Sequence, residues 1–211
     1  MKPILFNAEM VKAILAGRKT VTRRVVKPQP DRFFEMHESP LYLYSVEFDK
    51  GRINAPCQKG DILYVRETWC KRLGDVSAGE YIYKAHLEPQ DEIHQYALDQ
   101  NKWLPSIHMP KVAARIFLRV TDVRAERLQD ITEEQAKREG VIGLDPWKYA
   151  DSSFYEQNGL DTDILLAAFA GLWNSTLPKN PNKFKCPENS WEANPWVWVI
   201  EFERIEKSEE T

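Results

Sequence analysis

Gly17-Arg18-Lys19-Thr20-Val21-Thr22-Arg23-Arg24 reads as the junction between a helix and a strand. Upstream, Asn7 is a plausible N-cap, with Phe6 and Val11 spaced as a hydrophobic staple. Val11, Ile14 and Leu15 recur at helical spacing, and Gly17 supplies the stop. Downstream, Val21, Val25 and Val26 point to a strand that Pro28 and Pro30 end. Between Met10 and Pro30 stand six Lys or Arg residues and no Asp or Glu. A basic segment in an acidic chain suits a local anion site. It also suits a solvated turn whose cations complement the helix's C-terminal dipole.

The chain has 211 residues, is 43% hydrophobic, and carries a net charge of −3. That is enough to bury a core as one domain, and it excludes a globally basic nucleic-acid coat. Any polyanion would be met by a patch. Cys57, Cys70 and Cys186 are an odd number without a CxxC pair, which predicts reduced thiols. His37, His86, His94 and His108 show no ligand spacing, so neither a metal nor another cofactor is expected. The longest apolar run, Ile164 to Trp173, is too short to span a bilayer, and no secretory leader is expected. These features predict a cytoplasmic protein without membrane partners, and a monomer.

Along the chain, the pattern predicts a hairpin from Leu41 to Phe48 into Arg52-Ile53 with Asp49-Lys50-Gly51 as its turn. Lys59-Gly60-Asp61 reads as a turn before a strand over Ile62–Val65 that is covered on both faces. Tyr81–Ala85 and Ala114–Val123 read as further strands. Thr132 and Gln135 form a capping box for a helix that stops at Gly140. Leu144 to Gly159 reads as loop. Ile164 to Leu172 is expected to be amphipathic, with Leu165, Phe169 and Leu172 on one face. Trp196 to Ile205 is the final strand, with Trp198, Ile200 and Phe202 sharing a face, and Trp173, Trp196 and Trp198 are expected in the core. The class indicated is α+β around a small β-barrel with flanking helices. The expected organisation is one domain over residues 1–205, with aromatic-rich insertions at about 27–58, 86–112 and 141–194 and a frayed tail at 206–211.

Four segments in order carry a family resemblance: Ala16-Gly17-Arg18-Lys19-Thr20-Val21-Thr22, Lys59-Gly60-Asp61-Ile62-Leu63-Tyr64-Val65, Leu128-Gln129-Asp130-Ile131-Thr132-Glu133-Glu134 with Glu139, and Val197-Trp198-Val199-Ile200-Glu201-Phe202. Together they resemble the ASCH family, whose domains have a PUA-like fold, and most of all its long, phage-associated members. ASCH domains are associated with RNA, and small members are amidohydrolases that deacylate N4-acetylcytidine. The resemblance implies catalytic roles for Lys19, Thr22 and Glu139.

Metal-free amide hydrolysis needs a nucleophile, a base and a donor for developing charge. Thr22 can attack or orient a water. Lys19 can take the proton if its cationic setting lowers its pKa from about 10.4. Positions three apart on a strand face opposite ways, so Lys19 and Thr22 converge only through a turn, a bulge or a curled lysine. Glu139, at the end of its helix, is a proton shuttle or else a solvated surface carboxylate. Arg18, Thr20, Arg23 and Arg24 are expected to hold the substrate or nucleic acid. Arg66, Glu67 and Trp69 join them if Trp69 stacks on a base. Otherwise Trp69 is core and Arg66-Glu67 an internal ion pair. The first expectation is an amidohydrolase on a modified pyrimidine nucleoside or nucleotide, with the three catalytic groups and Arg66-Glu67 lining one cleft. Removing Lys19 or Glu139 is then expected to abolish turnover and leave the thermal midpoint nearly unchanged. The alternatives are a non-catalytic module that binds RNA or a modified base, and a ribonuclease, for which no His is well placed.

Overall fold

A computed structural model of the chain describes residues 1–30, 42–45, 51–71, 81–87, 92, 103–141, 164–177 and 188–206. It is a mixed α+β structure. The chain divides into two compact units. The first comprises Met1–Gly17, Gly60–Val120 and Glu203–Thr211, and the second Arg18–Lys59 and Thr121–Phe202.

In the first unit, β1 (Lys2–Leu5) runs parallel to β5 (Ile62–Arg66), which pairs antiparallel with the start of β8 (Phe117–Arg127). Leu63, Tyr64 and Val65 are all buried, as expected of a strand covered on both sides. Between β1 and the basic junction lies α1 (Ala8–Leu15). The Asn7 side chain accepts the Met10 N–H at 2.8 Å, and Phe6 and Val11 are buried beside that cap. Gly17 ends the helix at φ 71°, with its N–H on the Ile14 carbonyl. Only a residue without a Cβ takes that left-handed conformation cheaply.

Two three-residue strands, β6 (Trp69–Lys71) and β7 (Tyr81–Tyr83), pair antiparallel in this unit. The strand expected to reach Ala85 ends early, because Lys84–His86 tightens into a 3-10 turn. Tyr64, Trp69, Met109, Ala113, Ala114 and Phe117 form one cluster of buried side chains in this unit.

In the second unit, β2 (Val21–Val25) pairs antiparallel with β9 (Trp196–Ile205), with Thr22 opposite Ile200 and Arg24 opposite Trp198. β3 (Tyr42–Ser45) and β4 (Gly51–Asn54) pair antiparallel as expected, but Gly51, expected in the turn, opens β4 opposite Ser45, and Asp49 and Lys50 lie outside the described residues. Along the five-stranded sheet the order is β1-β5-β8-β9-β2. Among the described residues this sheet is open, not a closed barrel. The strand expected over Ala114–Val123 starts later and runs on to Arg127, because the charged residues after Val120 pair across strands.

The capping box forms as expected. Thr132 accepts the Gln135 N–H, and the Gln135 side chain accepts the Thr132 N–H, opening α2 (Glu133–Arg138). Gly140, at φ 88°, turns the chain away. α3 (Ile164–Ser175) differs from its expected single stripe. Ala167, Ala168 and Ala170 are buried along with Phe169 and Leu172, while Leu165 is only partly covered. Small side chains let neighbouring groups approach on more than one side, so burial here is wider than the large residues alone suggest. The helix joins Val21, Leu128, Val197 and Val199 in the core of this unit.

Trp198, Ile200 and Phe202 are buried in β9. Trp196 is partly exposed, with the Arg127 guanidinium 4.6 Å from its ring centroid, and Trp173 is also only partly buried. Cys57 and Cys70 are buried thiols. Cys186, the loop expected over Leu144 to Gly159 and most of the 141–194 insertion lie outside the described residues.

No heavy atom outside the local backbone comes within 4 Å of a Cβ built on Gly17, so a substitution there is penalised by conformation alone. Gly17→Ala should therefore lower unfolding free energy by about 1 kcal/mol, and Gly17→Asn by less. Urea unfolding curves check this, and equal losses for the two variants would contradict the left-handed cap.

Candidate functional site

Strand alternation divides the basic junction into two sets of side chains. Residues paired directly across β2 and β9 share a face. Val21 and Arg23 accordingly lie with Glu201 and Val199, while Thr22 and Arg24 lie with Ile200 and Trp198. Lys19, just before β2, forms an isolated antiparallel bridge with Glu139. The junction is thus held to the end of α2, with the Thr20 N–H on the Arg138 carbonyl at 2.9 Å.

Lys19 is 1% exposed. Its ammonium donates to Glu139 Oε2 at 2.5 Å, to the Glu139 carbonyl at 2.9 Å and to the Val21 carbonyl at 2.8 Å. The lysine has curled along the chain onto the carbonyl of Val21, the residue before Thr22, while Thr22 itself lies on the face of β2 shared with Arg24. Burial pulls Lys19's pKa below its ordinary value. Glu139 pulls it back up, Arg24 and Arg23 add to the lowering, and the net direction is down. Thr22 is buried too, and its hydroxyl accepts from Arg24 NH1 at 2.9 Å. Burial likewise lowers the Arg24 pKa, against the opposing charge of Glu139.

Glu139 is buried, not a solvated surface carboxylate. Its second oxygen, Oε1, accepts from Arg23 NH1 at 3.1 Å. Arg23 NH2 reaches Gln135 Oε1 at 2.8 Å and Glu126 Oε2 at 3.4 Å, and its guanidinium carbon lies 5.9 Å from the Phe169 ring centroid. The Arg23 side chain is therefore enclosed within the unit, with both terminal nitrogens engaged.

The network continues outward from Glu126 to Arg124, from Arg124 to Glu201 and Asp122, and from Glu201 to Arg138. Arg138 Nε in turn donates to the Thr20 hydroxyl at 3.2 Å. Burial opposes the charge of Arg124, but its hydrogen bonds to Glu126 and Glu201 outweigh this and raise its pKa. Partial burial pushes Glu201 up, and hydrogen bonds from Arg138 and Arg124 bring it below the ordinary carboxylate value. Arg18 is exposed.

The second group of expected site residues lies in the first unit. Glu67 is 1% exposed, but its partner is Arg115, not Arg66. Arg115 grips both Glu67 oxygens, at 2.9 and 3.0 Å, with its guanidinium carbon 4.1 Å from the Tyr83 ring centroid and NH1 at 3.0 Å from His86 Nδ1. Burial raises the Tyr83 pKa. Arg66 instead donates to the Ile107 carbonyl and lies over the Tyr64 ring. Trp69 is buried in the core cluster, edge-on to Tyr81, and its indole N–H has no partner.

Sequence reasoning missed Arg115, Glu126 and the second role of Gln135. The available signal was the capping-box glutamine, whose oxygen retains a lone pair after serving Thr132.

Among the described residues no group of three or more His, Cys, Asp or Glu could hold a metal ion, and no helix is long and apolar enough to cross a membrane. No family model matches the chain, and no curated protein matches it. The crystal structure of protein EF3133 from Enterococcus faecalis V583, assigned to family DUF984, is similar with a TM-score of 0.39 and 10% identity. The match covers 99% of this chain and 84% of that one.

Burial changes what substitution at the pair should do. Glu139→Gln leaves two buried cations without their shared carboxylate, and should cost about 3–5 kcal/mol rather than spare the thermal midpoint. Lys19→Met should cost less, because Glu139 keeps Arg23. Denaturant unfolding at neutral pH decides the order, and a larger loss for Lys19→Met would contradict the shared carboxylate. Between Lys19's lowered pKa and 10.5 the unfolded chain holds a proton that the folded chain lacks. Wild-type stability should rise with pH across that window, and Lys19→Met should lack this contribution.

Proposed function

We propose that the chain is an ASCH-like protein of PUA-like fold that hydrolyses the amide of an acylated pyrimidine nucleoside or nucleotide, of the N4-acetylcytidine type, without a metal. The observation that carries this reading is the contact of Lys19 with Glu139, residues 120 positions apart that the family resemblance alone put together. The lowered pKa of Lys19 and the buried hydroxyl of Thr22 support it.

In this reading neutral Lys19 takes a proton from the Thr22 hydroxyl, or from a water which that hydroxyl orients. The oxygen adds to the acyl carbon, and Arg24, already bonded to Thr22, faces the charge that develops. Glu139 relays the proton from Lys19 to the departing amine as the C–N bond breaks. Where Thr22 itself attacks, a water then releases the acyl group as the carboxylic acid and restores the hydroxyl.

A second reading has one specific observation behind it. Lys19 Nζ donates to at least three acceptors among the described residues, and three protons are what an ammonium offers. A permanently charged Lys19 would make this a binding module for RNA or a modified base. Incubating purified protein with N4-acetylcytidine separates the two. The enzyme reading expects cytidine and acetate from wild type, and a loss of about a hundredfold or more for Thr22→Val and Lys19→Met with circular dichroism retained. Saturable binding without turnover would favour the second reading, and neither result would remove both.

A further inference from the structure

We infer that Arg23 is a positioning residue: it holds Glu139 Oε1 so that Oε2 meets Lys19, and Gln135 of the capping box holds Arg23 in turn. This rests on the reading of Lys19 and Glu139 as the working pair, and it gives Arg23 a role other than the expected one of holding substrate or nucleic acid.

The side chain of Arg23 is fully buried. An arginine that receives a phosphate keeps its fork open to the ligand, whereas here each terminal nitrogen already has a protein acceptor. NH1 goes to Glu139, and NH2 goes to Gln135 and Glu126. Nε is buried with no partner, so the terminal nitrogens set where the group sits. Phe169 lies against the guanidinium.

Gln135 is equally constrained. Its Oε1 accepts the Thr132 N–H at 3.0 Å and Arg23 NH2 at 2.8 Å, which uses both lone pairs and fixes the amide. The chain of contacts runs from the N-cap of α2 through Gln135 and Arg23 to the carboxylate at the helix's other end. A planar fork holds two acceptors at a fixed spacing from two separate nitrogens, which the single nitrogen of a lysine does not.

The charged groups acting on Lys19 are Glu139, Arg24 and Arg23. Removing the Arg23 charge takes away a cation that disfavours the ammonium and leaves the whole carboxylate to Lys19. Both changes move Lys19's titration to higher pH.

The test compares wild type, Arg23→Gln, Arg23→Lys and Gln135→Met. Two readouts are used: pH profiles of kcat and KM on N4-acetylcytidine, and titration of the Lys19 ammonium by NMR of 15N-lysine-labelled protein. For Arg23→Gln, kcat should fall about tenfold or more with KM within about twofold, and the pH at which the rate rises should move upward. Arg23→Lys should restore the titration without restoring kcat. Gln135→Met should shift both readouts in the same direction by less, and it carries the test if Arg23→Gln does not fold. A KM raised about tenfold at unchanged kcat would make Arg23 a substrate ligand and overturn the inference. So would a Lys19 titration that no variant moves. A wild type that binds but does not deacylate sinks the amidohydrolase reading alone, because the NMR titration still decides what Arg23 does to Lys19.

Discussion

One carboxylate holds two cations of one chain segment, and the second unit is arranged around that fact. Glu139 caps a helix of only six residues, far too short to persist by its own propensity. The helix survives because its ends are tied to β2 and the residues before it. Arg23 reaches Gln135 at its first turn, the Lys19 ammonium takes the Glu139 side chain and carbonyl at its last, and the Thr20 N–H takes the Arg138 carbonyl. Cations at a helix C-terminus also meet the negative end of its dipole. In the buried part of the network, losing the shared carboxylate would leave the nitrogens of both Lys19 and Arg23 without it. Its outer members, such as the contact of Arg124 with Asp122, are exposed enough that solvent screens most of their worth.

Local chemistry was legible in the sequence wherever a few adjacent residues decide the structure. Asn7 and Gly17 bound α1, Thr132 and Gln135 open α2, and Trp196–Ile205 is the last strand with its expected bounds. What depends on register between distant segments was not legible. Arg66-Glu67 looked like an ion pair because the residues are adjacent, yet Arg66 is the last residue of β5 and Glu67, just beyond it, found Arg115 instead. β8 ran past its apolar stretch because Arg124 pairs with Glu126 on its own strand and with Glu201 across it, and hydrophobic alternation does not register such a cross-strand pair. At the site, the meeting of Lys19 with Glu139 came from family resemblance. Arg23 looked like one more basic residue of the junction, and its even spacing from Lys19 became informative only once both were seen to face Glu139.

The state of Lys19 turns on a count of protons against the cost of burial. As an ammonium it fills three acceptors, two of them backbone carbonyls that would otherwise be buried. As a neutral amine it offers two protons, so one acceptor goes unserved at a cost of about 1–3 kcal/mol. Against this stand the desolvation of the charge and the cations Arg23 and Arg24 beside it, and together these prevail in lowering its pKa. A substrate that brought its own donor to the orphaned carbonyl would tip the balance further towards the neutral amine.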